Sequence, residues 1–328
     1  MKSLIVAFPQ NIVDALDIAS KSTIRTTDKS FKNLVLCGLG GSGIGAKIVA
    51  NWIQNEIKIP VICLSEYSLP AFVDENSLVI GSSYSGNTEE TTLSMLEAQS
   101  RGAHIVGITS GGQLAKFCQE NKYDCILVPG GNPPRSALAF SLVQLLHILS
   151  VHQLIGTKTL EEMRSSVELL NTNIEEIHEI GKALAAHLFQ KVGILYAETK
   201  YEAIAVRARQ QFNENSKYLC WHHVIPEMNH NELVGWTGGD NRVAVVILRN
   251  EDDHKRSQMR MEICKKLMAE KCDTILEAWS KGSNRIERSL YLVHLGDWIS
   301  IDLAELRNED AVAIPAIIFL KGELAKMQ

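Results

Sequence analysis

No apolar run in the sequence is long enough to cross a membrane. The best stretches, such as Asn33–Gly38, are strand-sized, whereas a spanning helix needs about 20 residues. No secretory leader is expected at the start of the sequence either. Met1–Val6 carries one charge and a brief apolar run that stops at Pro9, without the longer apolar region and small-residue cleavage site of such a leader. There is no CxxC pair. The seven cysteines (37, 63, 118, 125, 220, 264 and 272) are odd in number and dispersed, so neither a disulfide framework nor a metal site is expected. Several sit inside apolar runs, where a cysteine behaves as a small buried hydrophobe. Positive charge is not in excess either. The formal net charge is -5, which argues against a nucleic-acid partner, because phosphate-backbone binding needs a concentrated basic surface. These absences leave a cytoplasmic protein with no membrane, nucleic-acid or metal partner as the expectation.

What is present is ordinary globular material. Of 328 residues, 45% are hydrophobic and 22% charged, enough for substantial cores. That length predicts two domains or one large one. In the first half, short apolar runs (33–38, 61–64, 78–82, 104–109 and 125–128) alternate with helix-like stretches (42–55, 88–101, 113–121 and 135–152). Continuously apolar strands separated by helices predict a parallel sheet covered on both faces, a doubly wound α/β domain. Around Gly156 the pattern changes to long helical stretches over 160–190, which sets an expected boundary between domains 1–155 and 156–328. A second alternating set follows, with strands at 192–197, 242–249 and 274–277, helices at 201–211 and 254–270, and two closing helices at 285–306 and 311–326. No clear residue-level repeat links the halves.

Two loops carry the chemistry. Gly38-Leu39-Gly40-Gly41-Ser42-Gly43 follows a predicted strand and opens a helix. Its glycines permit a tight turn and close approach to a ligand, and the helix start attracts anions. The spacing satisfies a dinucleotide fingerprint, with Glu66 downstream, but it lacks the lysine of a nucleoside-triphosphate loop. A tight turn with no ligand is the plain alternative. The second loop, Gly81-Ser82-Ser83-Tyr84-Ser85-Gly86-Asn87-Thr88, presents hydroxyls at 83, 85 and 88 beside a helix start, a donor set suited to a phosphate dianion. The plain alternative is that Ser85, Asn87 or Thr88 merely caps the helix, but a cap needs a single hydroxyl. Both loops follow early strands of one sheet, and so share the carboxyl edge where doubly wound folds bind ligands.

Taken together, Gly40–Gly43 and Ser83–Thr88 resemble the sugar isomerase (SIS) domain. Asn132-Pro133-Pro134-Arg135-Ser136-Ala137, Phe212-Asn213-Glu214-Asn215-Ser216-Lys217 and Pro226-Glu227-Met228-Asn229-His230-Asn231 extend the likeness over nearly the whole chain. With these, the chain resembles the bifunctional phosphoglucose/phosphomannose isomerase family. The resemblance implies two SIS-type, flavodoxin-like doubly wound domains, a homodimer, and no metal or other cofactor. It also implies an aldose–ketose isomerase interconverting glucose 6-phosphate and fructose 6-phosphate, with mannose 6-phosphate as a further candidate. The phosphate would be held by Gly41, Ser42, Ser83, Ser85 and Thr88.

Moving a carbonyl between adjacent carbons of an open sugar takes a base to shuttle one proton, a group to stabilise the enediolate, and an acid/base to open the ring. Glu214 is the candidate base: a carboxylate can take a proton from one carbon and return it to the next. Asn213, Asn215 and Lys217 could orient it; a solvated helix end is the alternative, and the family's motif raises the first reading. Arg135, after two prolines and before an apolar helix, keeps its charge in any site and suits enediolate oxygens. His230 is the ring-opening candidate, since imidazole exchanges protons near neutral pH. His222 and His223 are rivals, adjacent on a strand-like piece and so facing opposite ways. The resemblance favours His230 and implies that it enters from the partner subunit. It also matches Lys321 to a lysine that contacts the ring oxygen or sugar hydroxyls. Ile314 stands where the dual-specificity enzymes commonly carry threonine, and isoleucine cannot hydrogen-bond a sugar hydroxyl. That places mannose 6-phosphate behind glucose 6-phosphate.

Two other readings compete. A non-catalytic sugar-phosphate-binding SIS regulator would keep the phosphate loop, but no basic helix-turn-helix stretch precedes Asn33. An NAD-dependent dehydrogenase would account for the glycine loop and leave the hydroxyl loop unexplained.

Overall fold

Pro9, which ends the first apolar run, opens a helix instead of closing one. A computed structural model describes residues 1–326 of the chain. After a short helix α1 (Lys2–Val6), Pro9 lies in the first turn of α2 (Phe8–Lys21). There its missing N–H costs no hydrogen bond and its fixed φ suits the helix. The chain divides into two compact units. The N-terminal unit holds Val6–Thr172 with Lys281–Leu290, and the C-terminal unit holds Met1–Ile5, Asn173–Ser280 and the chain from Tyr291 onward.

The N-terminal unit is the parallel α/β sheet expected from its alternating runs. Its strands are β1 (Asn33–Cys37), β2 (Val61–Leu64), β3 (Ser77–Ser82), β4 (His104–Thr109) and β5 (Asp124–Leu127), in the order β2-β1-β3-β4-β5. Every neighbouring pair is parallel. The connecting helices are α3 (Gly40–Ile53), α4 (Glu89–Ser100) and α5 (Gly112–Asn121), followed by α6 (Leu138–Val151) and α7 (Lys158–Thr172). The central strands β1 and β3 are buried along their whole length, as a sheet with two covered faces requires. One layer of core joins Val35, Val79 and Ile105 to Met95, Leu114 and Phe117. From β1 the chain winds outward to β2, and from β3 it winds the other way. The loops after β1 and β3 therefore part at the switch point, opening a crevice between them.

The C-terminal unit repeats the plan with four strands: β6 (Val192–Glu198), β7 (Cys220–Ile225), β8 (Val243–Arg249) and β9 (Ile275–Trp279), all parallel in the order β7-β6-β8-β9. Helix α8 (Ile174–Leu188) precedes it, α9 (Glu202–Ser216) and α11 (Lys255–Ala269) cross over, and a single turn α10 (Glu232–Gly235) follows β7. The chain closes with α12 (Arg285–Leu306) and α13 (Pro315–Leu324). The alternating apolar runs had left β7 out, because it is an edge strand with an exposed tryptophan and two half-buried histidines in place of aliphatics. Among the described residues no helix is long and apolar enough to cross a membrane.

Helix α12 carries a fully buried histidine, His294, whose pKa is pushed down to about 4 by burial. Its folded-state pKa lies below the unfolded value, so its contribution to stability is fully present above pH 6.5 and is lost as the pH falls towards 4. Over that window the loss amounts to about 3 kcal/mol. Melting temperature followed from pH 7 to 4 should fall steeply in the parent and distinctly less in His294→Gln, which has no charge to acquire.

Candidate functional site

In the N-terminal unit the two sequence-predicted loops form one structure. Gly38 lies so close to the neighbouring strand end that a Cβ there would meet the Ser82 carbonyl oxygen at 2.9 Å. Ser42, buried in the first turn of α3, accepts a hydrogen bond from the Tyr84 amide at 3.2 Å and so ties the glycine loop to the hydroxyl loop. Gly86 adopts a φ of +71°, and a Cβ would overlap the Gly111 carbonyl oxygen, so only glycine allows this turn.

The hydroxyls of the second loop are not spent on capping. Thr88 is the N-cap residue of α4, yet no side chain caps that helix. Its hydroxyl instead pairs with that of Ser83 at 2.8 Å. Ser85 accepts from the Asn87 amide at 3.3 Å, and the Asn87 side chain caps a different helix, accepting from Gln113 N of α5 at 3.0 Å. The α4 start thus combines helix-terminal amides with a paired-hydroxyl edge, an arrangement that favours an anion.

The Asn132–Ala137 segment joins this crevice. A Cβ on Gly41 would sit 3.0 Å from the Pro134 carbonyl oxygen, so the glycine is what lets the Pro134–Ser136 turn pack on the loop. The Asn132 amide donates to the Tyr84 hydroxyl at 3.2 Å. Arg135 lies in this turn with 2% of its surface exposed, and burial of a guanidinium is tolerated only where it has partners. Gly41, Ser42, Ser83, Ser85, Thr88 and Arg135 are thereby brought together in one unit.

In the C-terminal unit Glu214 is half-buried in the last turn of α9. That helix runs to Ser216, past the expected end at 211, and stops where Lys217 turns left-handed at φ 51°. The flanking residues hold the backbone that carries Glu214. Asn213 donates to the Tyr218 carbonyl at 2.8 Å, Asn215 to Ser300 Oγ at 2.9 Å, and Lys217 Nζ to the Glu214 carbonyl at 2.9 Å. Two turns earlier, Arg207 donates to both oxygens of buried Asp297 at 3.0 and 3.2 Å, and Gln211, one turn earlier, adds a third bond at 2.8 Å. Desolvation raises the Asp297 pKa while Arg207 and Gln211 oppose it. This buried pair fixes α9 on α12, and breaking such a pair is strongly destabilising.

His230 lies on a different face. Cys220 and His222 of β7 point towards α9, through Asn213 and Glu202 respectively. Trp221 and His223 point the other way, towards Glu232. The segment carrying His230 therefore covers the face of the sheet opposite α9, and His230 itself is exposed. The C-terminal unit does not bring Glu214 and His230 together.

The family models match in the same two places: the SIS domain over residues 29–141, and the bacterial phospho-glucose isomerase C-terminal SIS domain over 177–324. A bifunctional phosphoglucose/phosphomannose isomerase of Caldicellulosiruptor bescii is 35% identical over 98% of this chain and 97% of its own length. The chain belongs to that family. A bifunctional phosphoglucose/phosphomannose isomerase of Aquifex aeolicus is 36% identical over 90% of this chain and 91% of that protein. Among solved structures, the C-terminal domain of glucosamine-fructose-6-phosphate aminotransferase from Francisella tularensis covers 94% of this chain, with 97% of its own length matched. Its TM-score is 0.74 at 14% identity, a likeness of fold. The two parallel sheets of this bifunctional phosphoglucose/phosphomannose isomerase family member are thus two SIS domains.

Lys321 and Ile314 belong to the closing part of the C-terminal unit. Ile314 precedes Pro315 at the start of α13, a helix with no buried residue, and Lys321 stands exposed on it. Tyr84 and Asn132 lie inside the two motifs but carry no expected role, since they act through a phenol and a backbone amide. Glu232 reads as an ordinary acid in the first turn of a helix.

Proposed function

We propose that this family member interconverts glucose 6-phosphate and fructose 6-phosphate through an enediolate, and that it also takes mannose 6-phosphate. The observation that carries the reading is the crevice of the N-terminal unit, where the loop with the uncapped helix start and the Ser83–Thr88 hydroxyl pair is tied by Ser42 to the glycine loop, on which the turn of buried Arg135 packs at Gly41. A phosphate is held there by Ser42, Ser83, Ser85, Thr88 and the amides beside Gly41, while Arg135 faces the negative charge that develops at C1 and C2. Glu214 moves the proton between the two carbons, Lys321 contacts the ring oxygen or a hydroxyl, and His230 protonates and deprotonates the sugar during ring opening. The reaction conserves oxidation state over the whole sugar and needs no redox or metal help.

The working form is a homodimer in the cytoplasm, with His230 supplied across the interface. Two observations support this. His230 is presented outward beside Val234 and Trp221, which are 73% and 40% exposed. Helix α13 leaves Ile318, Phe319 and Leu320 64%, 69% and 57% exposed, an apolar surface that a second copy can cover. The purified protein assayed with both sugars should turn over glucose 6-phosphate with the higher kcat/KM, because Ile314 lacks the hydrogen bond by which threonine helps the dual-specificity enzymes handle both C2 epimers. Binding of either phosphosugar without turnover would return the chain to the regulator class.

A further inference from the structure

The segment that carries His230 is held by little regular structure. Between β7 and β8 it consists of a 3-10 turn (Glu227–His230), the four-residue α10 and a second 3-10 turn (Trp236–Gly238). Helix α10 buries none of its residues. Beside it opens a pocket of about 280 Å³ lined by Ile194, Trp221, Glu232, Trp236, Gly239 and Val243. Leu233 and Trp236 pack on the core, but the side of the segment that faces this opening has no such support, and a polar tie must hold it there.

One carboxylate does so. Glu232 Oε1 accepts hydrogen bonds from the Tyr196 hydroxyl of β6 and, at 3.3 Å, from Trp221 Nε1 of β7. Its Oε2 pairs with His223 Nδ1 of β7 at 2.8 Å. The Tyr196 hydroxyl in turn accepts from Trp236 Nε1 at 3.0 Å, so the far end of the segment is tied to the same point. Three rigid aromatic side chains on two neighbouring strands thus converge on one charged acceptor, and charge-assisted bonds of this kind are about twice as strong as neutral ones. Burial and the nearby Glu232 charge push the Tyr196 pKa far up, which keeps its hydroxyl a donor at every working pH. On the other side of His230, Met228 is fully buried in the core with Trp236 and Cys264. His230 is therefore strung between a core anchor two residues before it and a carboxylate anchor two residues after it.

We infer that Glu232 is a positioning residue for His230, fixing the imidazole by tying its segment to β6 and β7. The inference rests on the reading of His230 as the ring-opening acid/base, and its test separates the two. Ring opening is followed on its own as α/β-anomer exchange of glucose 6-phosphate by NMR, and isomerisation by fructose 6-phosphate formation. Glu232→Ala should lower the kcat of anomer exchange about 100-fold, the cost of a group displaced by about 1 Å, with KM within a few-fold of the parent. Glu232→Gln keeps an acceptor oxygen for Tyr196 and Trp221 and should recover most of that loss. Tyr196→Phe, which removes one donor and changes the fold least, should cost about tenfold. In a His230→Asn background neither Glu232→Ala nor Tyr196→Phe should cost anything more, since a misplaced group and an absent one are equivalent. Additive losses in the double variants overturn the positioning role, as does normal anomer exchange in Glu232→Ala and Tyr196→Phe while His230→Asn abolishes it. Parent-level exchange in His230→Asn alone instead overturns the role given to His230.

Discussion

Glu214→Gln is expected to lower kcat for isomerisation by about 10²–10⁴-fold, the range for loss of a positioned general base. The amide has the size and hydrogen-bonding reach of the carboxylate but cannot take the proton. The backbone beneath it is secured independently by Asn215 on Ser300, Lys217 on the Glu214 carbonyl and the buried Arg207–Asp297 pair, so the variant should fold and melt like the parent. KM should stay within a few-fold, because Glu214 is no part of the phosphate site proposed at Ser42 and the Ser83–Thr88 loop. Two measurements sharpen the result. Solvent deuterium should no longer enter C2 of glucose 6-phosphate, while anomer exchange, which needs no proton from carbon, should continue. Full turnover by this variant would refute the mechanism.

The second large effect is a recovery. Glu214→Gln and His230→Asn should each be nearly inactive alone, yet the two mixed by co-expression or by unfolding and refolding should regain about a quarter of parental activity. In a two-fold dimer that shares residues across its interface, half of the random pairs are mixed. Each mixed pair contains one site with both Glu214 and His230 intact and one with neither. The reason to expect sharing lies in the C-terminal sheet: α9 covers the face of Cys220 and His222, while the His230 segment covers the face of Trp221 and His223. If both residues acted within one chain, mixing would restore nothing. Tagged subunits purified in tandem should show that the regained activity belongs to the mixed dimers.

Much of the fold could be read from periodicity alone. Uninterrupted apolar runs such as Leu34–Cys37 and Leu78–Ile80 became central strands buried on both faces, because nothing but a doubly covered parallel sheet accommodates them. The edge strand β7 escaped the same reading, since with one side open it carries Trp221, His222 and His223. Pro9 reads locally as a stop and acts structurally as a start, because only its place relative to the first helical turn decides which. The Asn213–Lys217 motif was legible as chemistry, but its polar flanks bind Tyr218 and Ser300, partners contributed by residues up to 85 positions away.

The sequence by itself determined the class of protein and the location of the loop proposed to bind phosphate. Glycines at 38, 41 and 86 and hydroxyls at 83, 85 and 88 are local properties, set by what a turn and a helix start demand. Tertiary structure alone decided what those groups are free to do. It turned Thr88 from a cap into the partner of Ser83, buried Arg135 on Gly41, and placed Glu214 and His230 on opposite faces of a sheet. It also gathered Tyr196, Trp221 and His223 onto Glu232. Each of these depends on side chains distant in the chain meeting in space, and spacing along a sequence carries no record of such meetings.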